Sequence, residues 1–176
     1  YNVCMDIYQI SPKSGINKID EIRSRLEIGR DAYGKGKISY EFAQELCEVL
    51  GDFARIMKEY GVDGYRACAT STLQEAKNVW MVLDQVYQRT GIKVEILSNS
   101  EQRFYGYKSI AAKEAAFSNI IQKGTAIIEI GGGNVQISLF DKDALVTTQN
   151  FKMGSLRIRE RLVQVKKETI YYEHLV

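Results

Sequence analysis

Ile127-Ile128-Glu129-Ile130 runs into three consecutive glycines, Gly131, Gly132 and Gly133, and the chain re-emerges from Asn134 as a second strand-like run, Val135 to Phe140. Strand, glycine turn, strand is the signature of a hairpin. Glycine tolerates positive φ and has no Cβ, so successive N–H groups can converge on an anion that approaches closely, and a phosphate suits such a concavity. The same turn also serves as a plain connection with no ligand. A Walker A loop needs a terminal Gly-Lys-Ser/Thr, and a dinucleotide fingerprint needs G-x-G-x-x-G opening a helix; neither condition is met.

Upstream, the pattern alternates. Val3 to Ile10 and Lys18 to Ile28 read as β-rich runs around the turn-forming Ser11-Pro12-Lys13-Ser14-Gly15. Phe42, Leu46, Val49, Leu50, Phe53, Ile56 and Met57 recur at helical spacing between Tyr40 and Tyr60, with Ser39 before and Gly61 after. Val62 to Ala69 predicts a short buried strand, Thr72 to Arg89 a helix closing at Gly91, and Lys93 to Leu97 another strand. Ser98 and Glu101 match a capping box ahead of a helix reaching about Phe117. Three strand-like runs then follow on short connections, Thr125 to Ile130, Val135 to Phe140 and Ala144 to Phe151, before a helix from Ser155. This order implies an α/β lobe with a mixed sheet flanked by helices over 1–121, and the incomplete start of a second, similar lobe over 122–176.

At 176 residues the chain suits one domain, or one plus part of another. Lys plus Arg (24) nearly balance Asp plus Glu (22), so neither nucleic acid nor a membrane surface is indicated as partner. Cys4, Cys47 and Cys68 are odd in number and far apart, which disfavours a disulfide framework and zinc and fits a reducing cytoplasm. No leader-like segment opens the chain, and no apolar stretch approaches the roughly 20 residues of a spanning helix.

Ile128-Glu129-Ile130-Gly131-Gly132-Gly133-Asn134 resembles the second phosphate loop of the exopolyphosphatase/guanosine pentaphosphate phosphatase family, of the actin-like (ribonuclease H-like) superfamily. Three further segments agree in order: Arg66 to Ala76, Ser98 to Arg103, and Met153-Gly154-Ser155. The resemblance implies hydrolysis of terminal phosphoanhydride bonds of inorganic polyphosphate or guanosine pentaphosphate, with Mg2+, in a cleft between two related lobes. It allows a homodimer. It assigns Glu101 to activating water, although a glutamate at N3 of a capping box also stabilises a helix start without catalysing anything. Tyr1 to Asp6 resembles the strand that follows the family's first phosphate loop, so the first strand and that loop are expected before Tyr1. An omission between Val163-Lys167 and Tyr171-Tyr172-Glu173-His174 is allowed.

The sequence also departs from the family pattern. Glu129 stands where an aspartate is usual and keeps an oxygen ligand for Mg2+; Asn134 replaces a serine. Gln74 replaces a phosphate-binding arginine, trading a charge-assisted bidentate contact for a neutral one, and Gln136 replaces a glutamate. The phosphate-binding candidates are therefore Gly131, Gly132, Gly133, Asn134, Arg66 and Gln74, with Glu129 for metal and Glu101 for catalysis. Arg66 also reads as a paired surface group. Arg157, Arg159, Arg161, Lys166 and Lys167 read as a solvated face, Phe104, Tyr105 and Tyr107 as core packing, and the single histidine, His174, as a surface group. The leading reading is a metal-assisted phosphohydrolase. The rivals are a catalytically weakened phosphate or nucleotide sensor of the same fold, and a sugar or acetate kinase of the same superfamily.

Overall fold

The computed structural model describes residues 2–113 and 117–168. The turn chemistry around Pro12 produces the expected hairpin: β1 (Asn2–Ser11) pairs antiparallel with β2 (Gly15–Arg25), from Asn2↔Arg25 to Ser11↔Gly15. Alternation along β1 turns Val3, Met5 and Ile7 inward. The chain leaves the hairpin into α1 (Ile28–Lys35), where the sequence pattern predicts strand as far as Ile28. Gly29 and Gly34 weaken the helical signal there, while Ile28 and Ala32 fix the helix by entering the core.

Ser39 caps α2 (Tyr40–Glu59), and Gly91 at φ +72° closes α4 (Val79–Thr90). Ala43, Leu46, Cys47, Leu50 and Phe53 of α2 meet Val79, Val82, Leu83 and Val86 of α4, and this seam is the centre of the core. The single helix expected over 72–89 is instead α3 (Ser71–Gln74) and α4. Between them the backbone bonds elsewhere: the Lys77 N–H donates to the Gly36 carbonyl (3.0 Å), and Asn78 grips Ile38 from both sides, accepting its N–H (2.9 Å) and donating to its carbonyl (2.8 Å).

The expected strand over 62–69 shortens to β3 (Ala67–Ala69), which pairs parallel with β4 (Val94–Ile96) over three residues. Tyr65 lies outside the ladder because its hydroxyl donates to the Gly91 carbonyl and accepts from the Lys93 N–H. The hairpin and this parallel pair are separate sheets. Between them lies a groove of about 1370 Å³, with β1 along one side, β3 along the other, and Leu46, Leu50, Phe53 and Leu83 among its lining.

After α5 (Asn99–Lys113) and α6 (Phe117–Ile121), β5 (Thr125–Ile130), β6 (Val135–Asp141) and β7 (Ala144–Phe151) form an antiparallel sheet in the order β5-β6-β7. Gln136, Ser138 and Phe140 alternate inward on β6, and Phe140 meets Tyr107 of α5 edge-on at 5.1 Å. Phe104 and Tyr105 correct the core reading, since both are exposed: each ring instead carries a cation at the surface, Lys108 over Phe104 at 4.9 Å and Arg66 over Tyr105 at 5.1 Å. α7 (Ser155–Glu168) follows. Among the described residues no helix is long and apolar enough to cross a membrane.

Candidate phosphate-binding site

The N–H of Gly131 donates to the Asn134 carbonyl (2.8 Å) and closes the turn between β5 and β6. The three glycine carbonyls are then taken up from one side by α7. Gly131 accepts from the Ser155 N–H (3.0 Å), Gly132 from the N–H groups of Leu156 (2.9 Å) and Arg157 (3.2 Å), and Gly133 from Arg157 Nε (2.9 Å). In a trans peptide the C=O and the following N–H point in opposite directions. The N–H groups of Gly132, Gly133 and Asn134 therefore face away from α7, and none of them donates a hydrogen bond among the described residues. Three unspent donors in succession make an anion-binding concavity. The first turn of α7 makes none, because its N–H groups are spent on the glycine carbonyls.

Positive φ is not what these positions require. The glycines at positive φ among the described residues are Gly15, Gly36, Gly61 and Gly91. What crowds the turn is proximity: a Cβ on Gly133 would stand 2.2 Å from Tyr33 Oη and 2.8 Å from Ser71 Oγ, while one on Gly132 would meet the movable end of Leu156, 2.8 Å from Cδ1.

Beside the turn, a narrow cleft is lined by Glu129, Asn134 and Gln136 of the hairpin and by Asn99 and Gln102 at the start of α5. Glu129 Oε2 lies over Gly106 of α5, at 3.4 Å from where a Cβ would be. Asn134 also donates to Asn150 Oδ1 (3.3 Å), and Gln136 is buried. Among the described residues no three His, Cys, Asp or Glu side chains gather as a metal cluster. The donor set of one carboxylate and several amide oxygens fits Mg2+ held through a single carboxylate and substrate phosphates.

Glu101 forms the expected capping box. Its Oε2 accepts from the Ser98 N–H (2.8 Å) and hydroxyl (2.7 Å), while its own N–H donates to Ser98 Oγ (3.2 Å). The Ser98 hydroxyl, then the Ser98 N–H, and the charge of Arg66 hold the carboxyl below its ordinary value of 4.5. Arg66 donates to Glu95 Oε2 from Nε (3.2 Å) and Nη2 (3.1 Å), and its guanidinium lies over the Tyr105 ring at 5.1 Å. Gln74 is exposed at the end of α3. The structure thus gathers Glu129, Asn134 and Gln136 beside the glycine turn; Glu101, Arg66 and Gln74 do not line that cleft.

Arg157 corrects the reading of a solvated basic face. Its side chain is 14% exposed, its Nη2 donates to both Glu75 carboxylate oxygens at 2.6 Å, and its guanidinium stacks over Tyr33 at 4.5 Å. Tyr33 Oη lies 3.2 Å from Ser71 Oγ and 3.0 Å from Thr72 Oγ1. Arg157 and Glu75 are 82 positions apart, and no local pattern links them. Asn99 and Gln102 lie inside the Ser98 to Arg103 segment that resembles the family, but neither is singled out within it. Arg161 is exposed as expected. The side chains of Lys166 and Lys167, and all of Tyr171-Tyr172-Glu173-His174, lie outside the described residues.

The model of the Ppx/GppA phosphatase family matches residues 7–174. Over 112 residues the chain is 29% identical to exopolyphosphatase 1 of Mycobacterium leprae, covering 58% of this chain and 29% of that protein. It is 25% identical over 130 residues to the guanosine-5'-triphosphate,3'-diphosphate pyrophosphatase of Vibrio parahaemolyticus, covering 74% and 25%. The chain spans about a quarter of the length of the curated relatives it matches. Among solved structures, an exopolyphosphatase from Cytophaga hutchinsonii superposes with a TM-score of 0.74 at 20% identity, covering 91% of this chain and 50% of that one. The Aquifex aeolicus family member gives 0.69 at 19%, covering 96% and 58%. These likenesses carry the fold, and the actin-like α/β class expected from the sequence stands. With the family model matching nearly from end to end, the chain belongs to the Ppx/GppA phosphatase family.

Proposed function

We propose that this chain binds the terminal phosphates of a phosphoanhydride substrate, inorganic polyphosphate or guanosine pentaphosphate, and takes part in hydrolysing the terminal bond. The observation that carries the reading is the set of three unspent N–H groups at Gly132, Gly133 and Asn134, all turned away from α7. In the reaction a water attacks the terminal phosphorus, the bridging P–O bond breaks, and its electron pair leaves with the shortened chain. Glu101 takes the water's proton on Oε1, since Oε2 is engaged by Ser98. Glu129 would hold Mg2+, which supplies neutralisation of phosphate charge when bound. The groove between β1 and β3 supports a further strand in the first lobe, the one expected to carry the first phosphate loop, with the second lobe starting near residue 122. Free Cys4, Cys47 and Cys68 support a reducing, cytoplasmic setting.

One observation favours the sensor reading. Arg157, the arginine at the turn, is engaged by Glu75 and Gly133, and Gln74 offers no charge. The test is phosphate release by the full-length protein from long-chain polyphosphate and from guanosine pentaphosphate with magnesium, beside Glu101→Gln. Glutamine also serves at N3 of a capping box, so the variant keeps its helix start and loses the base. A loss of roughly 100-fold or more at an unchanged melting temperature identifies Glu101 as the base. Equal nonzero rates exclude it, and binding of both substrates without turnover by the wild type selects the sensor.

A further inference from the structure

We propose that Arg157 is a positioning residue for the phosphate-binding turn and not itself a phosphate ligand. The inference rests on the reading of the turn as a phosphate site. An arginine beside a glycine turn invites the assignment of direct contact with phosphate, because its planar fork matches phosphate oxygens. Here two of the three guanidinium nitrogens are already engaged. Nη2 reaches both oxygens of Glu75, Nε holds the Gly133 carbonyl, and the plane lies on the Tyr33 ring. Swinging the guanidinium to a ligand would strip a half-buried carboxylate of its partner and release that carbonyl.

The bond to Gly133 is the consequential one. Backbone N–H groups of α7 orient the first two glycine peptides, but the third, between Gly133 and Asn134, is oriented by the Arg157 side chain alone among the contacts described. The Asn134 N–H therefore points to the ligand side only while Arg157 is in place. Glu75 sets where Arg157 stands. Its own N–H donates to the Ser71 carbonyl (3.1 Å), so the acidic anchor belongs to the α3 turn, and Tyr33 ties to the same turn through Ser71 and Thr72. The geometry of the turn in the β5-β6-β7 sheet thus depends on α1 and α3, from the other part of the chain.

The two roles give opposite signs for a change at Glu75. If Arg157 were a ligand held back by Glu75, Glu75→Gln would free it and tighten binding. If it is a positioning residue, Glu75→Gln loosens its seat and weakens binding. The experiment titrates tripolyphosphate, without magnesium, into the full-length protein, Arg157→Met and Glu75→Gln, by calorimetry and by the amide resonances of Gly132, Gly133 and Asn134. The expected result is about tenfold weaker binding in both variants, with the Asn134 amide no longer shifting in Arg157→Met. Binding by Glu75→Gln as tight as wild type or tighter, or by Arg157→Met within about twofold of it, overturns the proposal while leaving the phosphate site standing. No binding by the wild type overturns the phosphate reading itself.

Discussion

Gly154 lies so close to Gly132 that a Cβ on Gly154 would stand 2.2 Å from the Gly132 carbonyl oxygen and 2.5 Å from the Gly133 nitrogen. That approach brings the first turn of α7 within reach of the glycine carbonyls. Gly154→Ala is expected to destabilise the fold by about 1–3 kcal/mol, because backbone rather than a flexible side chain must yield. Gly51, in α2, has nothing within 4 Å of a Cβ, and Gly51→Ala should stabilise by about 0.5–1 kcal/mol. Urea unfolding midpoints of the two variants should move in opposite directions.

Ser98 governs the proton affinity of Glu101. With the carboxyl held below 4.5, a Glu101 base is charged at neutral pH, and its activity falls only as pH drops through that lowered value. Ser98→Ala removes the largest cause of the lowering. The acid limb of the pH–rate profile should therefore move upward, toward the ordinary glutamate range, with the plateau rate little changed.

Asp31 is fully buried, accepts from the Ser39 N–H (2.9 Å) and pairs with Lys35 (2.8 Å). Burial pushes its carboxyl up, but the bonds from Lys35 and Ser39 outweigh this and leave it below the ordinary 3.8. A depressed carboxyl contributes stability that is present above its unfolded value and lost as pH falls through the folded one. Asp31→Ala should cost about 1–3 kcal/mol at neutral pH, where the Ser39 N–H loses its acceptor, and flatten the fall in stability below about pH 4. Melting temperatures measured between pH 3 and 7 check both.

Asn78 ties the start of α4 to the loop before α2 through both backbone groups of Ile38. Asn78→Ala leaves that donor and acceptor without partners in a half-buried place, at a cost of about 1–3 kcal/mol. Amide exchange at Ile38 should accelerate more than exchange within α2.

Long amphipathic and alternating patterns were readable. The helical spacing over 40–60 became α2, and the three strand-like runs after residue 124 became β5, β6 and β7 within a residue of their expected ends. The errors fell where backbone bonds left the local pattern. The 72–89 helix divides because Lys77 and Asn78 bond to the 36–38 loop, and the 62–69 strand shortens because Tyr65 bonds to Gly91 and Lys93. Of the candidate site, the glycine turn with Glu129 and Asn134 beside it was legible because it is a local motif, as was the Ser98–Glu101 capping box outside that cleft.

The sequence by itself determined the long amphipathic helix α2, the three strands after residue 124, the hairpin built on Gly131 to Gly133, the capping box and the family, since each is written in residues close together along the chain. Only the tertiary structure decided which way the turn's donors face. That direction is set by Ser155, Leu156 and Arg157 taking the glycine carbonyls, and by Glu75 and Tyr33 seating Arg157. Those bonds join residues from 24 to 82 positions apart, and the Tyr33 stack reaches further still; contacts between distant segments leave no periodicity in the sequence to read.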